Sequence, residues 1–541
     1  MRRLLFVGIL SLLPSVVRAQ APIDTTVIHE IRVEAREHSR VMDYAFQLSD
    51  VLGPRLTGTP YYRRAGEWTI KQLEAMGLQN AHKEPVPWER GWSDVYTSVR
   101  MIAPQPGTMI AAAVPWSPGT DGAVEGEPIL VSLPGWGTPA DYETFFDTWR
   151  GKLDGRIILA TDTVPSAEEE YVELLPRHLS DTALDSLIRQ QERTAAEQAV
   201  QEQVEEYDPD LLSSPDFFAY QDSLNQFLRD QGVLAILYGS ANQGGTIQLQ
   251  PGPMRLQPGW LRFTDHVLPP PSAIVASEQY NRILRLYRRG IPVRIGLDIR
   301  TTFYQDPGNA FNIIAEIPGT DKKDEIVMAG AHFDSWALGT GATDNAAGVA
   351  AIMEAMRILK AIGVEPRRTI RIAFWAGEEG GGFGSRAYVH EHFDAGYPLS
   401  WLEEDVYGRE HEPLPGYDKL SAYYNLDYMA GGIRGIFLQG NEAARPIFQA
   451  WLAPFRNDGA YHVSGVTGGG SDHVSFDDVG LPGFPFIQDG PDFTVSTHHT
   501  NMDVYDYLSA SDLKQSAMIM AAFLYETAMR DEMMPRKKVE G

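Results

Sequence analysis

The sequence predicts an α/β protein: a mixed, mostly parallel sheet with helices on both faces, and a β-rich module inserted into it. Three observations predict this. After Pro307, compact apolar runs alternate with a helical pattern, the grammar of strand, helix, strand that builds such sheets. Residues from about 96 to 305 change texture to short β-rich runs broken by Pro and Gly. Residues 28–51 and 60–76, ahead of that module, have helical periodicity. With 541 residues, 43% hydrophobic and 10% aromatic, the chain can fill the cores of about two to four domains.

Residues 1–19 are read as a secretory signal. Arg2-Arg3 form the charged start, residues 4–17 a short apolar stretch, and Val17-Arg18-Ala19 a small-residue cleavage site. That stretch is too short to span a bilayer, and no later one is long enough, so no membrane span is expected. The chain has no cysteine, which excludes disulfides, thiolate ligands and a Cys nucleophile together. Export without disulfides suits a periplasmic or secreted protein. The formal charge of −26 disfavours nucleic acid and anionic lipid as partners.

Residues 20–95 form the first part of the sheet-bearing domain. Its two helical stretches are joined by a turn, Gly53-Pro54-Arg55-Leu56-Thr57-Gly58. Within the module at 96–305, residues 151–160 and 232–238 read as a turn followed by a buried strand. Between them, about 166–230 is Glu- and Gln-rich with a helical pattern, and 181–207 reads as a solvated amphipathic helix or lid. In residues 306–541 the compact apolar runs 312–317, 326–331, 369–375 and 422–426 suit buried strands. Val349, Ile352, Met353, Met356 and Leu359 share one helical face, and Gly363 ends that helix.

Ligands of such sheets sit beyond the carboxyl ends of the strands. His332, Glu378, Glu379 and Asp427 each fall at or just past such an end. His332 can offer one imidazole nitrogen to a metal, and Asp334, two residues on, can accept from the other. Asp344, beside Asn345 at a helix entrance, suits either an N-cap or a carboxylate bridging two cations. Glu378 and Glu379 leave the backbone in different directions, so one can bind metal while its neighbour carries a proton. An unpaired Asp427 at the end of an apolar strand would be costly. His498-His499-Thr500-Asn501-Met502-Asp503 supplies a further nitrogen donor.

His332-Phe333-Asp334-Ser335-Trp336, Gly341-Ala342-Thr343-Asp344-Asn345 and Trp375-Ala376-Gly377-Glu378-Glu379 resemble motifs of the co-catalytic di-zinc exopeptidases. That family includes bacterial aminopeptidases, glutamate carboxypeptidases and carboxypeptidase Q, whose members these motifs resemble most. The resemblance implies the zinc exopeptidase fold, an inserted protease-associated domain, and a peptide substrate; it leaves a homodimer open. It further implies Asp344 bridging two Zn²⁺ ions (Mn or Co also suit the donors), His332 and Asp427 completing one site, and Glu379 and His499 the other. Glu378 would be the general base and Asp334 the partner that orients His332. His499 matches the family's ligand better than His498, because a hydroxyl residue follows it and an acid comes later. The Asp344-Asn345 peptide would be cis.

Ser471-Asp472-His473 resembles a family segment near the substrate. Ala337 and Asn501-Met502-Asp503 depart from carboxypeptidase Q, leaving aminopeptidase, carboxypeptidase and dipeptidase activities open. Two other classes remain: a non-catalytic receptor-like protein on the same fold, and a single-zinc glutaminyl-cyclase-like acyltransferase. The first would lack ligands or base, and the second would hold one metal.

Overall fold

The first sheet grows from the apolar runs after Pro307. The computed structural model describes residues 23–135, 137–162, 180, 182–186, 189–190, 215–249, 262–399, 411–427, 430–490 and 493–537. The expected signal at 1–19 and most of the 181–207 helix lie outside these residues. Strands β10 (Phe311–Ile317), β11 (Lys322–His332), β12 (Arg368–Trp375) and β13 (Leu420–Asn425) occupy the four expected runs. β11 pairs in parallel with β12 and β13, and β13 with β16 (Gly483–Gln488). β1 (Gln79–Pro85), β10 and β14 (Ile433–Phe437) join through antiparallel pairs, and β15 (His462–Ser464) closes the edge beside β14. The sheet is mixed, in the order β1-β10-β12-β11-β13-β16-β14-β15.

Both faces of its centre are buried, which explains why these strands read as continuous rather than alternating apolar runs. On β12, Ile370, Ile372 and Phe374 enter one core with the helices Ala347–Ala361 and Ala510–Met529. Ala373 and Trp375 enter the opposite core with Tyr388 and Val389 of the helix Phe383–His392 and Phe476 of the helix His473–Asp477. The five residues on one face of the expected helix are all buried, but so is most of the rest of it. The helices Thr25–Glu37, Val41–Phe46 and Ala510–Met529 cover it.

β1 was not legible: its sequence, QNAHKEP, lacks the β-branched residues that mark strands. It is an edge strand whose pairing with β10 decides its conformation.

The second sheet contains β2 (Gly91–Ala103), β3 (Gly107–Met109), β4 (Ala111–Ala113), β5 (Val124–Leu130), β6 (Arg156–Leu159), β7 (Ala235–Gly239), β8 (Ser272–Val275) and β9 (Arg294–Tyr304). β6 and β7 are the two expected turn-then-strand segments. β2 and β9 pair antiparallel from Gly91–Tyr304 to Ala103–Arg294. The chain therefore leaves the first sheet after β1 and returns at β10 through neighbouring strands. This register recruits residues 91–94, so the second sheet begins a few residues before the expected 96. Among the described residues, no helix is long and apolar enough to cross a membrane.

Candidate metal centre

Each candidate side chain is set at the carboxyl end of a first-sheet strand or in a loop held against that end. His332 is the last residue of β11, and Asp427 lies two residues after β13. Glu378 and Glu379 follow β12 through a turn at Gly377, whose φ of +68 and contact with Trp88 leave no room for a Cβ. The Gly377 N–H donates to the Thr57 hydroxyl at 2.9 Å, and the Glu378 N–H to Asp334 Oδ1 at 3.3 Å. Asp344 precedes the helix Ala347–Ala361 across a cis peptide to Asn345, the isomer the resemblance implies.

Asn345, not Asp344, takes the capping role. Its Oδ1 accepts from the Gly348 N–H at 3.0 Å, while its amide nitrogen donates to Asp427 Oδ1 at 3.1 Å and to the Leu426 carbonyl at 3.0 Å. Asp344 is left to face the two histidines. His332 Nε2 lies 2.9 Å from Asp344 Oδ1 and 3.2 Å from Asp427 Oδ1. His499 Nε2 lies 3.4 Å from Asp344 Oδ2 and 3.0 Å from Glu379 Oε2. Thus one oxygen of Asp344 serves each imidazole. Glu378 shares a third grouping with His332 and Asp427. His498 stacks on His499 with ring centroids 3.7 Å apart and also approaches Asp344.

Asp334 reaches His332 in a different way from the one expected. Its backbone carbonyl lies 3.0 Å from His332 Nδ1, whereas its carboxylate Oδ1 is 3.6 Å away and accepts from Glu378. Main-chain geometry orients the ring, because a residue two positions past the strand end can turn its carbonyl back towards the imidazole.

The electrostatics suit cations. Burial, reinforced by Asp427, Asp472 and Glu379, pushes the Glu378 carboxyl well above its usual range. Burial, with Asp344 next, does the same to Glu379. Burial alone would raise Asp344, but the His332 and His499 imidazoles hold it well below the usual carboxylate range. Burial alone would lower His332, but Asp427, Asp334 and Asp344 push it well above. Burial lowers His499. Several carboxylates are thus buried against one another's charge, a situation divalent cations relieve. Glu379 Oε1 is buried with no hydrogen-bond partner among the described residues, as a metal donor would be. Imidazole and carboxylate donors without sulfur fit zinc, manganese or cobalt.

Two supports were not foreseen. Arg55 is fully buried and spends its guanidinium on backbone carbonyls of Leu48, Phe333, Thr340 and Gly341, tying the N-terminal turn to the loops on either side of Ser335 and before Asp344. The second is a chain of hydrogen bonds. Trp375 Nε1 donates to the Tyr423 hydroxyl, which donates to Asn425 Oδ1; Asn425 Nδ2 donates to the Ser471 hydroxyl, which donates to Asp427 Oδ2. Neighbouring Asp472 is pushed up to about 7, first by burial. The sequence signals were an Arg inside an apolar turn and a Ser-Asp pair in a Gly-rich loop. Asp503 supports the Asp344 loop too, accepting from the Thr343 N–H and hydroxyl at 2.6 and 2.7 Å.

Residues 312–524, the span that holds all of these ligand candidates, match peptidase family M28. Carboxypeptidase Q from Bos taurus is 24% identical over 519 residues, covering 94% of this chain and 89% of its own length. Over residues 312–524 the chain carries a peptidase family M28 domain, and it resembles the co-catalytic zinc exopeptidases. It is carboxypeptidase Q-like. Among solved structures, a peptidase M28 precursor from Shewanella amazonensis shares the fold, with a TM-score of 0.63, 23% identity, and coverage of 95% of this chain and 99% of its own. A zinc aminopeptidase from Bacillus subtilis shares it with a TM-score of 0.53, 17% identity, and coverage of 91% and 95%.

Proposed function

We propose that this protein is an exported metallo-exopeptidase that hydrolyses peptide bonds at chain ends. The observation that carries this reading is the placement of Asp344 between two imidazoles, with Asp427 beside one and Glu379 beside the other. His332, Asp344 and Asp427 would hold one zinc, and Asp344, Glu379 and His499 a second. Metal bound there would supply Lewis acidity towards a carbonyl and towards water. Glu378, beside this cluster, takes a proton from water as the water attacks the scissile carbonyl, and returns it to the amine as the C–N bond breaks. Its raised affinity for a proton, caused by burial, suits the return step. The Asp334 carboxylate holds the Glu378 backbone in place, and its carbonyl holds His332.

The second sheet, at residues 91–304, is read as the protease-associated domain inserted between the two parts of the peptidase domain. Carboxypeptidase Q and the aminopeptidase structures support action at a chain end and leave open which end. Hydrolysis of di- to tetrapeptides with free or blocked termini tests this. Blocking one terminus should abolish turnover while blocking the other is tolerated; a dipeptidase would reject both. Cleavage of peptides blocked at both ends, at internal bonds, would overturn the exopeptidase reading.

A further inference from the structure

The two histidines of the site are held differently. His332 has its ring fixed by the Asp334 carbonyl. His499 has no such bond: its Nδ1 is buried and has no hydrogen-bond partner among the described residues. A metal-binding imidazole usually donates its second N–H, which sets the ring's direction. His499 also has a φ of +55, in the left-handed region that costs a residue with a Cβ and persists only where neighbours impose it.

Two contacts from the second sheet's side of the molecule converge on this residue. The segment 247–249, between β7 and β8, runs antiparallel to 499–501, with a bridge between Gln248 and Thr500. Leu249 N–H donates to the His499 carbonyl at 2.9 Å, and Asn501 N–H to the Ile247 carbonyl at 3.0 Å. Asn501 closes the clamp with its side chain, its Oδ1 accepting from the Ile247 N–H at 2.7 Å. From another direction, Trp336 meets the His499 ring edge-on at 5.9 Å. Trp116, between β4 and β5, meets Trp336 edge-on at 6.1 Å. Trp116 is itself pinned by its indole N–H, which donates to the Arg90 carbonyl at 3.0 Å.

We propose that the second-sheet module, acting through the Ile247–Asn501 clamp and the Trp116–Trp336 stack, positions His499 and thereby sets the affinity of the metal that His499 and Glu379 would bind. This rests on the two-metal reading of the site. Asn501 is a positioning residue in it, since its side chain closes the clamp on Ile247 and supplies none of the proposed ligand atoms. The module, which supplies none of the proposed ligands, would still govern one of the two metal positions. The position built from His332 and Asp427 would be independent of it.

The test is a competitive chelator titration of zinc from the full-length protein, with hydrogen exchange of the Ile247 and Leu249 amides measured alongside. In Asn501→Ala, the dissociation constant of one zinc should rise about ten-fold or more while the other is unchanged, and both amides should exchange faster. Asn501→Asp keeps an acceptor for the Ile247 N–H and should recover most of the lost affinity. Trp116→Phe, acting from the other contact, should weaken the same zinc. Unchanged affinity for both zincs in Asn501→Ala, even with faster amide exchange, would overturn the proposal while leaving the two-metal reading intact. Retention of both zincs at native affinity in His499→Ala would instead overturn the two-metal assignment, and this proposal with it.

Discussion

Glu378→Gln is expected to keep its full metal content and lose about 10²–10⁴ in kcat. Glutamine preserves the length and hydrogen-bonding reach of the side chain but cannot carry a proton. The backbone N–H that anchors this residue to Asp334 is untouched, so the loop should stay in place. Glu379→Gln should fail differently. Glu379 lies 3.0 Å from His499 Nε2 and presents a second oxygen that has no hydrogen-bond partner among the described residues, so removing its charge should lower metal occupancy along with rate. Excess zinc should restore part of the activity of Glu379→Gln and none of that of Glu378→Gln. Near-normal turnover in Glu378→Gln would remove it from the proton-carrying role. Metal loss from Glu378→Gln with retention in Glu379→Gln would exchange the two roles.

Arg55→Met is expected to destabilise the protein by about 2–4 kcal/mol and to weaken metal binding without touching any proposed ligand. Methionine fills part of the space but removes the guanidinium donor from four backbone carbonyls, of which Gly341 keeps a backbone donor, the Ala346 N–H, and two of them lie in the loop that leads into Asp344. The loss stays below the sum of those bonds because the mutation also relieves the cost of a buried guanidinium, whose pKa burial pushes down to about 10. Arg55→Lys retains the charge but cannot serve carbonyls on several sides with one planar fork, so it should fall nearer to Met than to Arg. Thermal unfolding and metal titration of the three proteins decide the matter. Equal melting temperatures and equal affinities would show that the turn at 53–58 folds without this anchor.

The strands and the candidates at their ends stood out for the same reason, whereas the roles given to Asp344 and His499 came from the family resemblance. A strand buried on both faces must be a continuous apolar run, so a charged residue that ends one, such as His332 or Asp427, stands out. Glu378-Glu379 stood out because nothing about a buried strand end explains two acids. What stayed hidden depends on partners distant in sequence. β1 becomes a strand only by pairing with β10. Arg55 acquires its role from carbonyls nearly three hundred residues away, and Asn501 from a segment between two strands of another sheet. The role of Asp344 was ambiguous locally, between capping the helix and bridging two cations; Asn345 takes the cap by accepting from the Gly348 N–H, which leaves Asp344 facing the two histidines.

The central claim is that these side chains form one centre for two cations. Elemental analysis of the purified, zinc-reconstituted protein tests it most directly. The account predicts two zinc ions per chain, one of them lost in His499→Ala. A single tightly bound zinc, as in a glutaminyl-cyclase-like acyltransferase, or none, as in a receptor-like protein, would contradict it.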